Sequence, residues 1–209
     1  MKSYKTIVVL VSICCVFGIF AFAQAGSSGS TSSAQSSTAP PTMTSVLNSQ
    51  LRGIEREIMN AADAIPQDKF DFSPGTSNIP GDFKTPSPVR TLAEQFKHIG
   101  DALEGEAAGI MGQKLQPSPD ENGPKNVKTK QEVIDYLKAA FAKAHSAIDT
   151  INQQNATEEI ANPFGGNRKT TRLSLAVGMV GHSNNHYGQI IEYLRMNSIV
   201  PPESRRSGS

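Results

Sequence analysis

Gly181-His182-Ser183-Asn184-Asn185-His186-Tyr187-Gly188-Gln189 is the stretch on which the reading of this chain turns. Two of the four histidines stand here, four residues apart. Val177, Val180, Ile190 and Leu194 recur around them at helical spacing, so residues from about 171 to 197 read as one helix, stopped by Pro201-Pro202. Side chains at i and i+4 share a helix face roughly 5–6 Å apart, so two imidazoles placed this way can close on one metal ion. A solvated or hydrogen-bonded surface pair has the same spacing, and spacing alone leaves both readings open. No glutamate follows His182, so the HExxH metalloprotease pattern is absent. Asn185 and Gln189 share the histidine face and are candidates to hydrogen-bond a metal-bound water or a substrate; packing amides are the other reading.

Working outward, three more segments carry a helical stripe. Residues 45–65 place Val46, Leu47, Leu51, Ile54, Ile58, Met59, Ala62 and Ile65 three and four apart, with Thr44 or Ser45 as cap and Pro66 as stop. Ser87-Pro88 reads as the start of a second helix, Ser as N-cap and Pro at the first helical position. Its stripe is Leu92, Phe96, Ile99, Leu103 and Ile110, with His98 beside it. Thr129 and Glu132 form a capping box for a third, striped by Val133, Leu137, Ala140, Phe141, Ala144 and Ile148. No alternating strand pattern occurs, and residues 155–169 read as a loop. The prediction is an all-α four-helix bundle, one domain over residues 43–202. The long first and third connections favour crossovers from one end of the bundle to the other. Residues 66–87 hold Phe70, Phe72 and Phe83 among prolines and glycines, an ordered crossover loop pinned by its phenylalanines.

The chain of 209 residues is longer than this domain. Lys2 and Lys5 precede an apolar run at residues 7–22, and Ala23-Gln24-Ala25 follows, the pattern of a cleaved secretory signal peptide over residues 1–25. An uncleaved anchor is the alternative, although the run is short for a span of about 20 residues. Residues 26–42 are Ser/Thr/Gly-rich without apolar periodicity, a flexible tether, and residues 203–209 form a disordered tail. Both cysteines, Cys14 and Cys15, fall in the signal, so the mature protein has no disulfide and no sulfur ligand. Removing Lys2 and Lys5 from 20 basic residues leaves 18 against 19 acidic ones, a formal charge of −1. With no basic run interleaved with aromatics, nucleic acid is excluded as an expected partner. The expected location is periplasmic or secreted, with membrane contact only during export.

The residues also resemble a known family. Arg90-Thr-Leu-Ala-Glu-Gln-Phe-Lys-His98, His182-x-x-x-His186-Tyr-Gly-Gln189, Tyr193-Leu-Arg-Met-Asn197 with Pro201-Pro202, and Ala61-Ala-Asp-Ala-Ile-Pro66 with Lys69-Phe70 are similar to stretches of the DinB-like (DinB/YfiT) superfamily of metal-dependent four-helix-bundle proteins. The resemblance covers nearly all of residues 43–202. It implies that His98 joins His182 and His186 around one divalent metal. Zinc and nickel suit such a set best, and manganese or iron are also compatible. Three neutral imidazoles with water at an open position is the catalytic rather than the structural pattern. Glu94 and Asp101 are candidates to orient His98, against a reading as solvated charges. His145 reads as an ordinary surface histidine, and Tyr187 and Tyr193 as core or rim aromatics.

Three functions follow as expectations. The first is a metal-dependent enzyme on a small molecule, either a thiol-dependent transferase, as the resemblance implies, or a hydrolase. The second is a non-catalytic metal- or ligand-binding module, and the third an extracytoplasmic scaffold. The resemblance also implies a homodimer formed through helix faces, which the residues neither support nor exclude.

Overall fold

The computed structural model describes residues 40–75, 89–113 and 120–205. The signal peptide and most of the tether, together with Phe83, Ser87, Pro88 and the last four residues, lie outside them. Four helices dominate: α1 (Met43–Ala64), α2 (Leu92–Ile110), α3 (Lys130–Asp149) and α4 (Arg172–Met196). α2 packs on both α3 and α4, and α1 packs on the same two. α1 therefore lies diagonal to α2, and α3 diagonal to α4. The first and third connections join diagonal partners and so cross the bundle, but each stays at one end of it instead of running end to end: the Phe70 and Phe72 carbonyls just past α1 bond the start of α2, and the Ala156 carbonyl just past α3 bonds Leu173 at the start of α4. Lys130 at the start of α3 also bonds the Asp63 and Ile65 carbonyls at the end of α1, so α2 and α3 start at the same end and the second connection spans the bundle. The stripes predicted for α2 and α3 are fully buried, including Phe96, Leu103, Leu137 and Phe141. Each large apolar side chain so buried contributes roughly 1.5–3 kcal/mol before entropy is charged against it. Two apolar positions depart from expectation: Val46 and Val177 are 47% and 56% exposed, each lying off its helix's core face.

Helix starts depend on caps that the sequence offered in more than one place. α1 is capped by Thr42, whose side chain accepts from the Ser45 N–H at 3.1 Å, whereas Thr44 turns its hydroxyl to the Ile151 carbonyl. α2 begins only at Leu92, with Thr91 as cap. Thr91 Oγ1 accepts from the Glu94 N–H, and Glu94 Oε2 accepts from the Thr91 N–H at 2.8 Å. A reciprocal box satisfies two orphan donors, which explains why it prevails over an upstream Ser-Pro. The Phe70 and Phe72 carbonyls accept from Ala93 and Leu92 N–H, both at 2.9 Å. Phe70 stacks on Phe96 at a centroid distance of 5.9 Å and Phe72 meets Tyr193 edge-on at 5.8 Å. The described part of the crossover loop, up to residue 75, is pinned by Phe70 and Phe72 as expected, and it fixes the start of the helix that carries His98.

Two features were not anticipated. Glu159–Ala161 (β1) and Lys169–Thr171 (β2) pair antiparallel, Ile160 opposite Thr170, inside the segment read as loop. Strands of three residues are too short to show alternation. His145 is half-buried rather than an ordinary surface residue: its Nδ1 lies 2.5 Å from Asn48 Oδ1 and its Nε2 3.0 Å from Glu55 Oε2, tying α3 to α1. Asn48 in turn donates to Asp149 at 2.7 Å. Truncating one member of such a network strands its partners, at about 1–3 kcal/mol. His145→Ala is expected to lower the free energy of urea unfolding by that amount with helix content unchanged; an unaltered unfolding curve would show the network contributes nothing.

Candidate metal centre

The site forms where α2 and α4 face each other. His98 comes from the middle of α2, and His182 and His186 from successive turns of α4. Their ring nitrogens converge, with all three ligand atoms within 4.8 Å of one another. His182 Nε2 lies 3.2 Å from His98 Nε2 and 3.0 Å from His186 Nε2. At a metal–nitrogen length of about 2.0–2.1 Å, tetrahedral ligands stand about 3.3–3.4 Å apart and octahedral cis ligands about 2.9 Å apart. The observed separations lie between the two.

What each ring does with its other nitrogen decides what the cluster can hold. His98 Nδ1 lies 2.5 Å from the Glu121 carbonyl oxygen, and His186 Nδ1 lies 2.7 Å from Gln95 Oε1. Both partners are acceptors, so both Nδ1 atoms carry the proton and both Nε2 atoms present a lone pair. His182 Nε2 has at most one hydrogen, which cannot serve both lone pairs. At least one of the two lone pairs is left facing another ring nitrogen without a hydrogen between them, a repulsion that a cation among the rings would relieve, and the residues present therefore fit a divalent metal.

The supporting shell is built with care on both sides. Gln95, buried in α2, uses its amide nitrogen to donate to Gln189 Oε1 at 2.9 Å, which orients its oxygen towards His186. Gln189 thus stands one step behind the histidines, and Asn185 is exposed on α4. Glu94 is committed to the α2 capping box and does not orient His98. Asp101 acts on His98 as a nearby negative charge. The His98 partner is instead the turn at residues 120–123, closed by Gly123 N–H to the Asp120 carbonyl at 3.0 Å. Gly123 has φ +76°, and a Cβ there would sit 2.8 Å from the Lys97 backbone. Only glycine lets this turn lie flat on α2 and aim the Glu121 carbonyl. Arg90 donates to the same carbonyl at 3.4 Å and pairs with the Glu121 carboxylate at 3.5 Å.

Electrostatics keep the rings in the state a metal requires. Burial lowers the pKa of all three histidines, and the positive charge of Arg90 lowers each further. His186, 5% exposed, is pushed down to about 3 by burial and by its two neighbours. Neutral imidazoles are the ligating form.

His98 and His182 open onto a cleft of about 670 Å³ lined also by Ala102, Glu106, Phe164, Val177, Gly178 and Gly181. That lies within the size range of small-molecule sites. Exposed Phe164 and Val177 rim it. At the other end Glu106 is 7% exposed, and its Oε2 has no hydrogen-bonding partner among the described residues. Burial raises its pKa from the ordinary 4.5 to about 8.

Two outcomes follow. Gly123→Ala is expected to weaken metal binding about 10–100-fold, the usual cost of disturbing a ligand's own partner, measured by competition with a chelating dye; unchanged affinity would remove the turn from the site. The folded chain retains a proton on Glu106 between pH 4.5 and about 8 that the unfolded chain has lost, so this residue makes stability fall as pH rises across that window. Denaturation of Glu106→Gln at pH 5 to 8 should show the variant gaining on the wild type by up to about 1.4 kcal/mol per pH unit; parallel curves would mean that the carboxyl is not held protonated.

The comparisons agree with this architecture. Residues 50–190 match the family model described as the DinB superfamily. Curated proteins contain no match. Among solved structures, a conserved protein from Enterococcus faecalis aligns at 15% identity and a TM-score of 0.57, covering 75% of this chain and 98% of the other. A DinB-like protein from Bacillus subtilis aligns at 16% and 0.55 over 78% and 99%, and one from Bacillus cereus at 15% and 0.55 over 75% and 93%. At these identities the likeness concerns the fold. The matched segment spans most of the described chain and contains all three histidines of the cluster: the protein belongs to the DinB superfamily.

Proposed function

We propose that this is an exported metalloprotein that holds one divalent first-row metal through His98, His182 and His186 and acts on a small anionic molecule. The observation that carries it is the convergence of three Nε2 atoms, with the tautomers of His98 and His186 set from behind by Glu121 and Gln95. A divalent metal there supplies Lewis acidity and lowers the pKa of a water or thiol that it binds. Three protein donors leave a position for such a ligand on the cleft side, where His98 and His182 are half-exposed. Zinc and nickel are the metals best matched to an all-imidazole set, with manganese and iron next.

The chain's own residues favour an anion. No carboxylate is among the three donors, so the ligands leave the charge of the ion unneutralised, and Arg90, although paired with the exposed Glu121 carboxylate, lies near all three rings. A thiolate in a transfer reaction, or an ester, amide or phosphate in a hydrolysis, fits that field. Hydrolysis is the better match to export, because the thiol pool that a transferase draws on belongs to the cytosol. Export itself is inferred from the basic, apolar and Ala23-Gln24-Ala25 succession at the N-terminus.

Elemental analysis of the untagged mature protein is expected to give near one equivalent of a first-row metal. His98→Ala, His182→Ala and His186→Ala should each lose most of it, and His145→Ala should keep it. Equal loss in all four, or in none, would refute the assignment. Chelation should leave the bundle folded by circular dichroism, because apolar stripes hold the helices; cooperative unfolding on chelation would make the site structural.

A further inference from the structure

The cleft has a second end. Glu106 stands eight residues beyond His98 on α2, and Gly178 four residues before His182 on α4, so the two helices form two rungs across it. At 1.5 Å per residue the rungs are roughly 6–12 Å apart. A Cβ built on Gly178 would lie 2.6 Å from Glu106 Oε1. The glycine is what leaves room for the carboxyl to face α4, although glycine is a poor helix former. Glu106 Oε2 is buried with no hydrogen-bonding partner among the described residues, and native proteins complete most such atoms with a protein group, a water or a ligand. Between the rungs the helices contribute Ala102 and Gly181, with Phe164 and Val177 also in the lining; Ser174, one turn before Gly178 on α4, adds a hydroxyl beyond the far rung.

We propose that Glu106 is the far-end recognition residue of this cleft, and that the site takes dipolar small molecules with an anionic, metal-seeking group at one end and a primary ammonium at the other. The near end rests on the metal reading above; the far end stands on Glu106 alone. The two ends carry opposite demands. The histidine end, with its metal and Arg90, attracts an anion, and the carboxyl end attracts a cation. Burial keeps Glu106 neutral while nothing pairs with it, which avoids an isolated buried charge. An arriving ammonium supplies the donors that Oε2 lacks, and the carboxyl gives up its proton to the solvent as the pair forms. The apolar wall between the rungs suits a short methylene chain.

The test is calorimetric titration of zinc-loaded full-length protein with aminobutyrate, aminohexanoate and aminooctanoate, each with a terminal amine, against the matching amine-free carboxylates. The best-fitting amino acid is expected to bind about tenfold or more tightly than its amine-free counterpart, the scale of one charge-assisted hydrogen bond. Glu106→Gln should abolish that preference while keeping its metal content and its helical circular dichroism spectrum. Gly178→Ala, which keeps the carboxyl but crowds it, should reduce the preference as well. Equal binding of both series by the wild type, or a preference that survives in Glu106→Gln, would overturn the proposal. If the protein takes up no zinc, hexylamine is titrated instead. Binding that depends on Glu106 would uphold the far-end site although the metal reading had failed. Hexylamine binding indifferent to Glu106 would overturn it.

Discussion

Two hydrogen bonds to the far side of two imidazole rings are the constraint on which this site depends. The Glu121 carbonyl and the Gln95 amide oxygen each accept from a histidine Nδ1, and they thereby point two Nε2 lone pairs at a third ring. Neither bond is remote from the fold. Gln95 is positioned by α2 and by Gln189 of α4, so it belongs to the helix–helix interface as much as to the site. The Glu121 carbonyl is delivered by a turn that only a glycine at 123 allows to lie against Lys97. Ligand geometry in this protein is thus a by-product of how α2, α4 and one turn pack.

The bundle itself explains why the cleft lies where it does. α2 contacts both α3 and α4, and its buried face supplies Phe96, Ile99 and Leu103 to the core while its flank supplies His98, Ala102 and Glu106 to the cleft. α4 is divided in the same way, with Met179, Ile190 and Leu194 in the core and Gly178, Gly181 and His182 along the opening. The crossover loop reinforces this by capping α2 with the Phe70 and Phe72 carbonyls and stacking Phe70 on Phe96. Helices anchored at their starts and along their cores can hold three uncharged rings together. Burial accounts for most of the depression of the histidine pKa values.

Much of this was legible in the sequence, for physical reasons that also mark where legibility ended. Helical periodicity reports burial, so the stripes of α2 and α3 and the all-α class could be read directly. The Thr129–Glu132 box could be read because both side chains are of the capping type. The α2 start was misplaced because Thr91 and Glu94 formed an equally good box nearby, and Glu94 was offered a role beside His98 that its capping bond precludes. His145 was misjudged because its partners, Asn48 and Glu55, are about 90 residues away along the chain, beyond any local pattern. For the site, spacing brought His182 and His186 together, and resemblance added His98. Gln95 stands three residues before His98 and so shares its helix face, but its bond to His186, 91 residues away, leaves no local pattern. The Glu121 contact is made by a backbone carbonyl, which leaves no trace in residue type. Glu106 was silent because its meaning comes from what it lacks, a partner, and that is a property of packing.

The most direct measurement of the central claim is X-ray absorption spectroscopy at the metal edge of the zinc-loaded mature protein. The account predicts three imidazole nitrogens at about 2.0–2.1 Å and a light, exchangeable ligand in the remaining position, with imidazole scattering reduced by one ring in His98→Ala. A metal closed by four protein ligands, or one whose imidazole count is unchanged by His98→Ala, would contradict it.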